Sequence, residues 1–170
     1  MAISPISRVF FIVALLLFIM LGTLWMVTAR PWQSNEQILE YFYSATASEE
    51  ELMDPLILRG EEIVPMVISN VMRPDMPRRR YGIAFLGNGS YVTALPTLRS
   101  ITEGEEPDYI RADALEAIYR IDQQVGLSYA RLYADREDWL GNVARQVIKE
   151  PSSIGSHRSY IEALLGLTSG

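Results

Sequence analysis

The chain has 170 residues, 49% of them hydrophobic, which is enough for one folded domain in addition to a membrane segment. Cysteine is absent and His157 is the only histidine, which excludes disulfide bonds, thiolate chemistry and a histidine-based metal cluster. Beyond Pro31 there are 13 lysine and arginine residues against 21 acidic residues, a net charge of −8. This acidic balance argues against a nucleic-acid binder, which needs a basic face.

The N-terminal segment predicts a membrane anchor. Residues 9–27 are an uninterrupted apolar or near-apolar run, which as a helix would span roughly 28 Å, close to the ~30 Å hydrocarbon thickness of a bilayer. Trp25 and Trp32 fall near its outer end, where indole rings favour the headgroup region. We predict a cytoplasmic N-terminus over residues 1–8 and a single-pass transmembrane anchor over residues 9–29 in the cytoplasmic (inner) membrane. The folded part would then be extracytoplasmic, which in a bacterium means periplasmic.

A cleaved signal peptide is the alternative, because Val27-Thr28-Ala29 has the small-residue pattern of a cleavage site. The apolar run is longer than the roughly 7 to 15 residues usual in signal peptides, and Arg30-Pro31 is a poor start for a mature chain. These two features favour an uncleaved anchor.

Beyond the anchor we predict a juxtamembrane amphipathic helix within residues 30–47 and one helical domain over residues 48–170. Ser34 and Gln37 have the spacing of a capping box and would open the juxtamembrane helix. Pro55 predicts either a kink in the next helix or a new start there, and Gly60 predicts its end. A helix near residues 157–166 is expected to cover the last apolar face of the domain.

The chain contains one helical pattern twice. IVPMVIS (residues 63–69) is followed by RRYGIAFLG (residues 79–87), and ALPTLRS (residues 94–100) is followed by RADALEAIY (residues 111–119). Pro65 and Pro96 are 31 positions apart and Arg79 and Arg111 are 32 positions apart, a spacing typical of helical solenoids. The sequence therefore predicts an all-α fold, a short α-solenoid of antiparallel helix pairs preceded by one transmembrane helix.

Residues 75–87 (DMPRRRYGIAFLG) resemble the first-helix signature of HEAT-like repeats, the kind also found in phycobilisome lyase subunits, and residues 107–118 (PDYIRADALEAI) resemble it again. The resemblance covers residues 49–121 well and residues 122–166 loosely. It implies a right-handed stack of helix pairs whose second helices, drawn from residues 61–72, 91–101 and 127–133, line a concave face. It leaves function open, because such families include scaffolds, adaptors and transport factors as well as lyases.

Two sets of candidate residues come from this pattern. The first set has structural roles in the repeat. Arg79 would pair with an acidic turn or a neighbouring repeat, and Arg111 would pair with Asp108 or Asp113. For the arginine run at residues 78–80, the alternative is a binding site for an anion or an acidic partner. The second set consists of tyrosine and arginine, which interfaces favour, on the inner helices. The structural residues are Asp75, Arg79, Pro65, Pro96 and Arg111, and the partner-binding residues are Tyr91, Arg99, Tyr129 and Arg131.

The leading functional hypothesis is a membrane-anchored scaffold or assembly module that binds a protein partner, without catalysis, cofactor, metal or nucleic acid. No serine-nucleophile motif, phosphate loop or paired-histidine motif is present. A lyase-like or cofactor-handling enzyme is the second hypothesis and would need a polar pocket around Glu61, Glu62, Arg99 and Arg131. A small accessory subunit, held in a larger membrane complex by its transmembrane helix, is the third.

Overall fold

The computed structural model describes residues 5–44 and 49–150, which contain helices and turns and no β strand. Short 3-10 helices are formed by Gly60–Glu62 and Val92–Ala94. The predicted all-α class is confirmed for these residues, whereas His157 and the helix predicted near residues 157–166 lie outside them. The α-helices are α1 (Pro5–Ala29), α2 (Asn35–Ser44), α3 (Glu49–Arg59), α4 (Val64–Val71), α5 (Arg79–Asn88), α6 (Leu95–Glu103), α7 (Asp108–Ile121), α8 (Gln123–Tyr133) and α9 (Trp139–Lys149).

The first helix, α1, is the apolar N-terminal helix that the sequence predicts. Its segment Phe10–Val27 is 18 residues long and none of it is buried within the protein. Large aliphatic and aromatic side chains exposed over such a length are stable in hydrocarbon and costly in water. The helix is therefore long and apolar enough to cross a membrane.

The entry to α2 is the predicted capping box. The Gln37 amide donates to the Ser34 hydroxyl (3.3 Å), and the Ser34 amide donates to Gln37 Oε1 (2.9 Å). Two of the amide groups that a helix start leaves without partners are thereby satisfied. Ile38, Leu39 and Phe42 then face the core from one side of this short helix.

Helix α3 continues through Pro55 without a new start and ends at Arg59, before Gly60, as the sequence predicts. Gly60 follows it with a φ of 59°, a left-handed conformation that glycine adopts at little cost. The next helix, α4, is shorter than predicted, because residues 60–62 form a 3-10 turn. Pro65 occupies its first turn, where a missing amide donor costs nothing.

The helices pack in two rows. One row consists of α3, α5, α7 and α9, each in contact with the next. In the second row α4 packs on α5, α6 packs on α7, and α8 packs on both α7 and α9. Helix α7 carries residues of both apolar core clusters, one reaching back to α2 and the other reaching forward to α9.

Two glycines allow the closest helix contacts. A Cβ atom added to Gly87 of α5 would lie 2.7 Å from the Ala117 Cα atom of α7, and one added to Gly126 of α8 would lie 2.3 Å from the Tyr119 Cα atom. These backbones approach closely because glycine has no side chain. Helix α8 begins at Gln123, earlier than the predicted residue 127, because the Asp122 carboxylate accepts a hydrogen bond from the Val125 amide (3.0 Å).

Candidate functional site

Three arginines of the first row donate hydrogen bonds to carbonyl groups at the end of the preceding helix. Such carbonyls lack donors within their own helix, and a cation is favoured at the negative end of the helix dipole. The same contact therefore joins each helix of the second row to the helix that follows it. The bonds are Arg79 Nε to the Val71 carbonyl (2.6 Å), Arg111 Nε to the Thr102 carbonyl (2.8 Å) and Arg145 Nη1 to the Ala134 carbonyl (2.6 Å).

The first of these arginines is also half of a shielded ion pair. Arg79 is 5% exposed, and its two terminal nitrogens each donate to a carboxylate oxygen of Glu106 at 2.7 Å. This contact holds the pKa of Glu106 below its usual value. Asp75, predicted to be a structural residue of the same repeat, forms an exposed ion pair with Arg73 (3.0 Å) instead.

The predicted acidic partners of Arg111 are engaged elsewhere. Its guanidinium lies 5.3 Å from the centre of the Tyr133 ring. Asp113 forms a two-point ion pair with Arg80, and Asp108 accepts from the backbone amide of Trp139 (2.9 Å). Pro65 and Pro96 each occupy the first turn of their helices, α4 and α6.

The predicted partner-binding residues divide into two groups. Tyr129 of α8 donates its hydroxyl to Glu103 of α6, and burial with this hydrogen bond raises the pKa of Tyr129 to about 12. Arg99 acts against that increase, so it lies within electrostatic range, and its Nε is buried without a hydrogen-bond partner. The hydrogen bond from Tyr129 to Glu103 connects α8 to α6, and Arg99 lies one turn before Glu103 on the same side of α6.

The other two residues lie apart from this contact between α6 and α8. The Tyr91 ring packs against Phe85 with its centre 5.2 Å away, just before the 3-10 helix that leads into α6. Arg131 is exposed near the end of α8, beside Leu132, which is 73% exposed. Glu61 and Glu62, which the enzyme hypothesis would group with Arg99 and Arg131, are exposed in the 3-10 turn before α4.

A contact region that we call the α1 joint connects α1 to the helical stack. Arg59, the last residue of α3, donates from Nη2 to the carbonyl of Arg30 (2.9 Å) and to the carbonyl of Gln33. Asn35 at the start of α2 donates to the Glu62 carbonyl (3.2 Å). The chain between α1 and α2 is thus hydrogen-bonded to the stack on both sides.

Two further features tighten the α1 joint. The Arg30 guanidinium lies 3.6 Å from the centre of the Tyr41 ring, a cation–π contact, and Arg30 itself has a positive φ of 47°. Ala29, the last residue of α1, is only 6% exposed. The end of the apolar helix is therefore packed into the folded domain.

The opposite end of the stack carries a surface that we call the distal edge, formed by the starts of α5, α7 and α9. Arg78, before α5, donates to the carbonyl of Phe42 near the end of α2, so α2 runs from the α1 joint to this edge. The hydrogen bond from the Trp139 amide to Asp108 places the starts of α7 and α9 side by side. Tyr109 (45%) and Trp139 (53%) are exposed there.

Glu116 on α7 has a pKa shift opposite in sign to that of Glu106. Burial raises the pKa of Glu116, with Arg120 acting against the increase and Asp113 adding to it. Residues Asp113, Glu116 and Arg120 border a small crevice beside α5.

Within residues 5–44 and 49–150, no three histidine, aspartate or glutamate side chains are placed to hold a metal ion. Comparison with known protein families, characterised proteins and solved structures finds no match for this chain. Its function is therefore proposed from its own geometry and chemistry.

Proposed function

We propose that this chain is a single-pass, membrane-anchored HEAT-like α-solenoid that serves as a protein-interaction or assembly module on the outer face of a cytoplasmic membrane. The observation that carries the proposal is the combination of an exposed apolar helix of membrane length with a helical stack fixed to its end by the α1 joint. An anchor joined in this way holds the stack in one orientation above the bilayer.

The solenoid part of the proposal rests on the two rows of helices and on the arginine contact repeated by Arg79, Arg111 and Arg145. Solenoids are built from units that contact only their neighbours, and a repeated contact between successive units is what such an architecture requires. Their second-row helices form an extended surface for partners.

The α1 joint supports an uncleaved anchor. Ala29, the last residue of the cleavage site considered above, is buried, and the carbonyl of the following residue, Arg30, is bound by Arg59. A peptidase needs an extended, accessible segment, which this packing does not offer.

The partner-binding part of the proposal uses the second-row surface of α6 and α8. Arg99 and Tyr129 lie there, and exposed Arg131 and Leu132 continue it along α8. Arginine and tyrosine side chains contribute more binding energy at interfaces than most other residues.

The test is co-purification of the full chain from its own membranes in mild detergent, followed by mass spectrometry. The variant Arg131→Ala/Leu132→Ala removes an exposed cation and its aliphatic neighbour from α8. The matched control, Ile148→Ala/Lys149→Ala, removes the same pair of residue types from α9. We expect a partner that is retained by the native chain and the control and lost from the α8 variant.

Two outcomes would contradict the proposal. Extraction of the chain from membranes by alkaline carbonate would exclude a spanning anchor. A partner that is lost when residues 9–27 are replaced by an unrelated apolar helix, and retained by the α8 variant, would make the chain an accessory subunit held by α1.

A further inference from the structure

A cleft of about 340 Å³ opens at the distal edge between the starts of α5 and α7. Buried Met76 and Ile110 contribute apolar surface to it, and Tyr81 and Tyr109 contribute aromatic rings. Its volume falls at the lower end of the range, about 300 to 1,000 Å³, that ligand sites occupy. The cleft is therefore large enough for one aromatic or aliphatic side chain with its backbone.

Arg79 and Arg80, which both line the cleft, differ in whether they have a hydrogen-bond donor left for a ligand. Arg79 is occupied by Glu106 and by the Val71 carbonyl. Arg80 is 41% exposed, and Asp113 accepts hydrogen bonds from its Nε and Nη2 only. Its Nη1 has no hydrogen-bond partner among the described residues, so Arg80 can bind a further carboxylate.

The start of α5 has no acidic residue of its own, and its negative charge comes from Glu106 and Asp113, which pair with Arg79 and Arg80. Its first turn holds Arg79 and Arg80 and no acidic residue, and no side chain caps it. Cations at this position oppose the helix dipole, whereas an anion is favoured there. A carboxylate bound at Arg80 Nη1 would add to the negative charge that Glu106 and Asp113 supply.

The position of the cleft indicates the source of the carboxylate. The α1 joint holds the start of α2 at Asn35, and the distal edge holds the Phe42 carbonyl seven positions further along, so roughly 10 Å of helix lies between these two contacts. The cleft is therefore on the side of the stack away from the end of α1, where lipid headgroups would lie. Exposed Tyr109 and Trp139 beside the cleft are residue types that protein interfaces favour.

We propose that this cleft binds an acidic segment of a protein partner, with one apolar side chain against Met76 and Ile110 and a neighbouring carboxylate on Arg80 Nη1. The inference rests on the proposed scaffold function and names the chemistry of the partner. It adds a second contact surface, at the distal edge, to the one on α6 and α8.

The test uses the full chain in nanodiscs and a fluorescent peptide in which one phenylalanine is flanked by glutamates. Anisotropy is compared with an otherwise identical peptide in which glutamine replaces every glutamate. Tyr109→Ala removes an exposed wall of the cleft. Because loss of Arg80 alone would leave Asp113 unpaired, the charge is tested with Arg80→Gln/Asp113→Asn. Ile148→Ala/Lys149→Ala is the control away from the cleft.

We expect the glutamate peptide to bind at least about tenfold more tightly than the glutamine peptide, and binding to weaken with salt. Tyr109→Ala and Arg80→Gln/Asp113→Asn should each weaken it by about tenfold, and the control should not change it. Equal binding of the two peptides, absence of binding, or indifference to both cleft variants would overturn the inference. Any of these results together with partner loss in the α8 variant would leave the scaffold proposal standing.

Discussion

The α1 joint and the distal edge lie at opposite ends of α2, and polar side chains have different surroundings at the two ends. At the joint, Arg59 and Asn35 donate to backbone carbonyl groups within the fold. At the distal edge, by contrast, the Arg80 side chain is 41% exposed and Tyr109 is 45% exposed. The difference indicates that one end fixes the direction of the stack and the other presents side chains for binding.

Removing Arg79 should lower the stability most, because its ion pair with Glu106 connects the start of α5 to the loop before α7 at the distal edge. Arg79→Ala leaves the Glu106 carboxylate and the Val71 carbonyl without their donor. We expect the free energy of unfolding to fall by about 4 kcal/mol, measured by denaturant unfolding of the full chain in detergent. Arg73→Ala breaks an exposed pair with Asp75 and should leave the unfolding midpoint unchanged. Equal effects would mean that Arg79 has no special role.

A side chain at Gly87 should push α5 away from α7 near the C-terminal end of α5, which is the end nearer the α1 joint. Alanine normally stabilises a helix relative to glycine by about 1 kcal/mol. Gly87→Ala should instead destabilise the protein by about 2 kcal/mol, because its Cβ would lie 2.7 Å from the Ala117 Cα atom. Gly22→Ala in α1 is the control, since no atom lies within 4 Å of that added Cβ. Stabilisation by Gly87→Ala would contradict the observed packing of α5 on α7.

Loss of Arg59 should loosen the α1 joint and leave the distal edge intact. Arg59→Ala removes two charge-assisted hydrogen bonds, to the carbonyls of Arg30 and Gln33, which should cost about 1.5 kcal/mol. Hydrogen exchange followed by mass spectrometry should show faster exchange over residues 30–38. Arg131→Ala serves as the control on an exposed arginine. Faster exchange in α5 and α7 as well would show that the two ends are coupled.

The last predictions concern the pH dependence of stability, through two glutamates with pKa shifts of opposite sign. Glu106 has a lowered pKa, so its stabilising contribution is present above the unfolded value of 4.5 and is lost as pH falls through the folded pKa. Glu106→Gln should therefore reduce the stability at neutral pH, and the stability of this variant should fall less steeply than that of the native chain as the pH is lowered. Glu116 has a raised pKa, so its ionised form destabilises the fold, and Glu116→Gln should increase stability at neutral pH.

Thermal unfolding from neutral to acidic pH distinguishes these two cases, with the native chain as the reference. If Glu116→Gln instead lowers stability at neutral pH, the ion pairing of the Glu116 carboxylate contributes more stability than its burial costs.

Local signals in the sequence predicted much of the fold. The capping box at Ser34 and Gln37, the apolar run of α1 and the stop at Gly60 each depend on a few adjacent residues, and each is confirmed. The start of α8 was predicted too late, because the cap formed by Asp122 precedes the first apolar residues of that helix.

The candidate sites depend on residues far apart in the chain, and the sequence predicted them less completely. The sequence predicts that Arg79 pairs with an acidic turn or a neighbouring repeat, but no local pattern identifies Glu106, which lies in a loop 27 positions away, as that partner. Arg145 lies two positions beyond an exact 32-residue repeat, so its match to Arg111 was missed. The cleft with Tyr109 and the joint made by Arg59 form only when separate helices pack, and no local pattern predicts them.

The most direct test of the central claim is energy transfer from a fluorophore on the domain to acceptors in the lipid headgroups of nanodiscs. The absence of cysteine allows single labels at Glu61→Cys, next to the α1 joint, and at Tyr109→Cys, on the distal edge. We expect more transfer from residue 61 than from residue 109, because roughly 10 Å of α2 lies between the contacts that hold its start and its end. Equal transfer from both positions would contradict an anchor that holds the stack upright on the membrane.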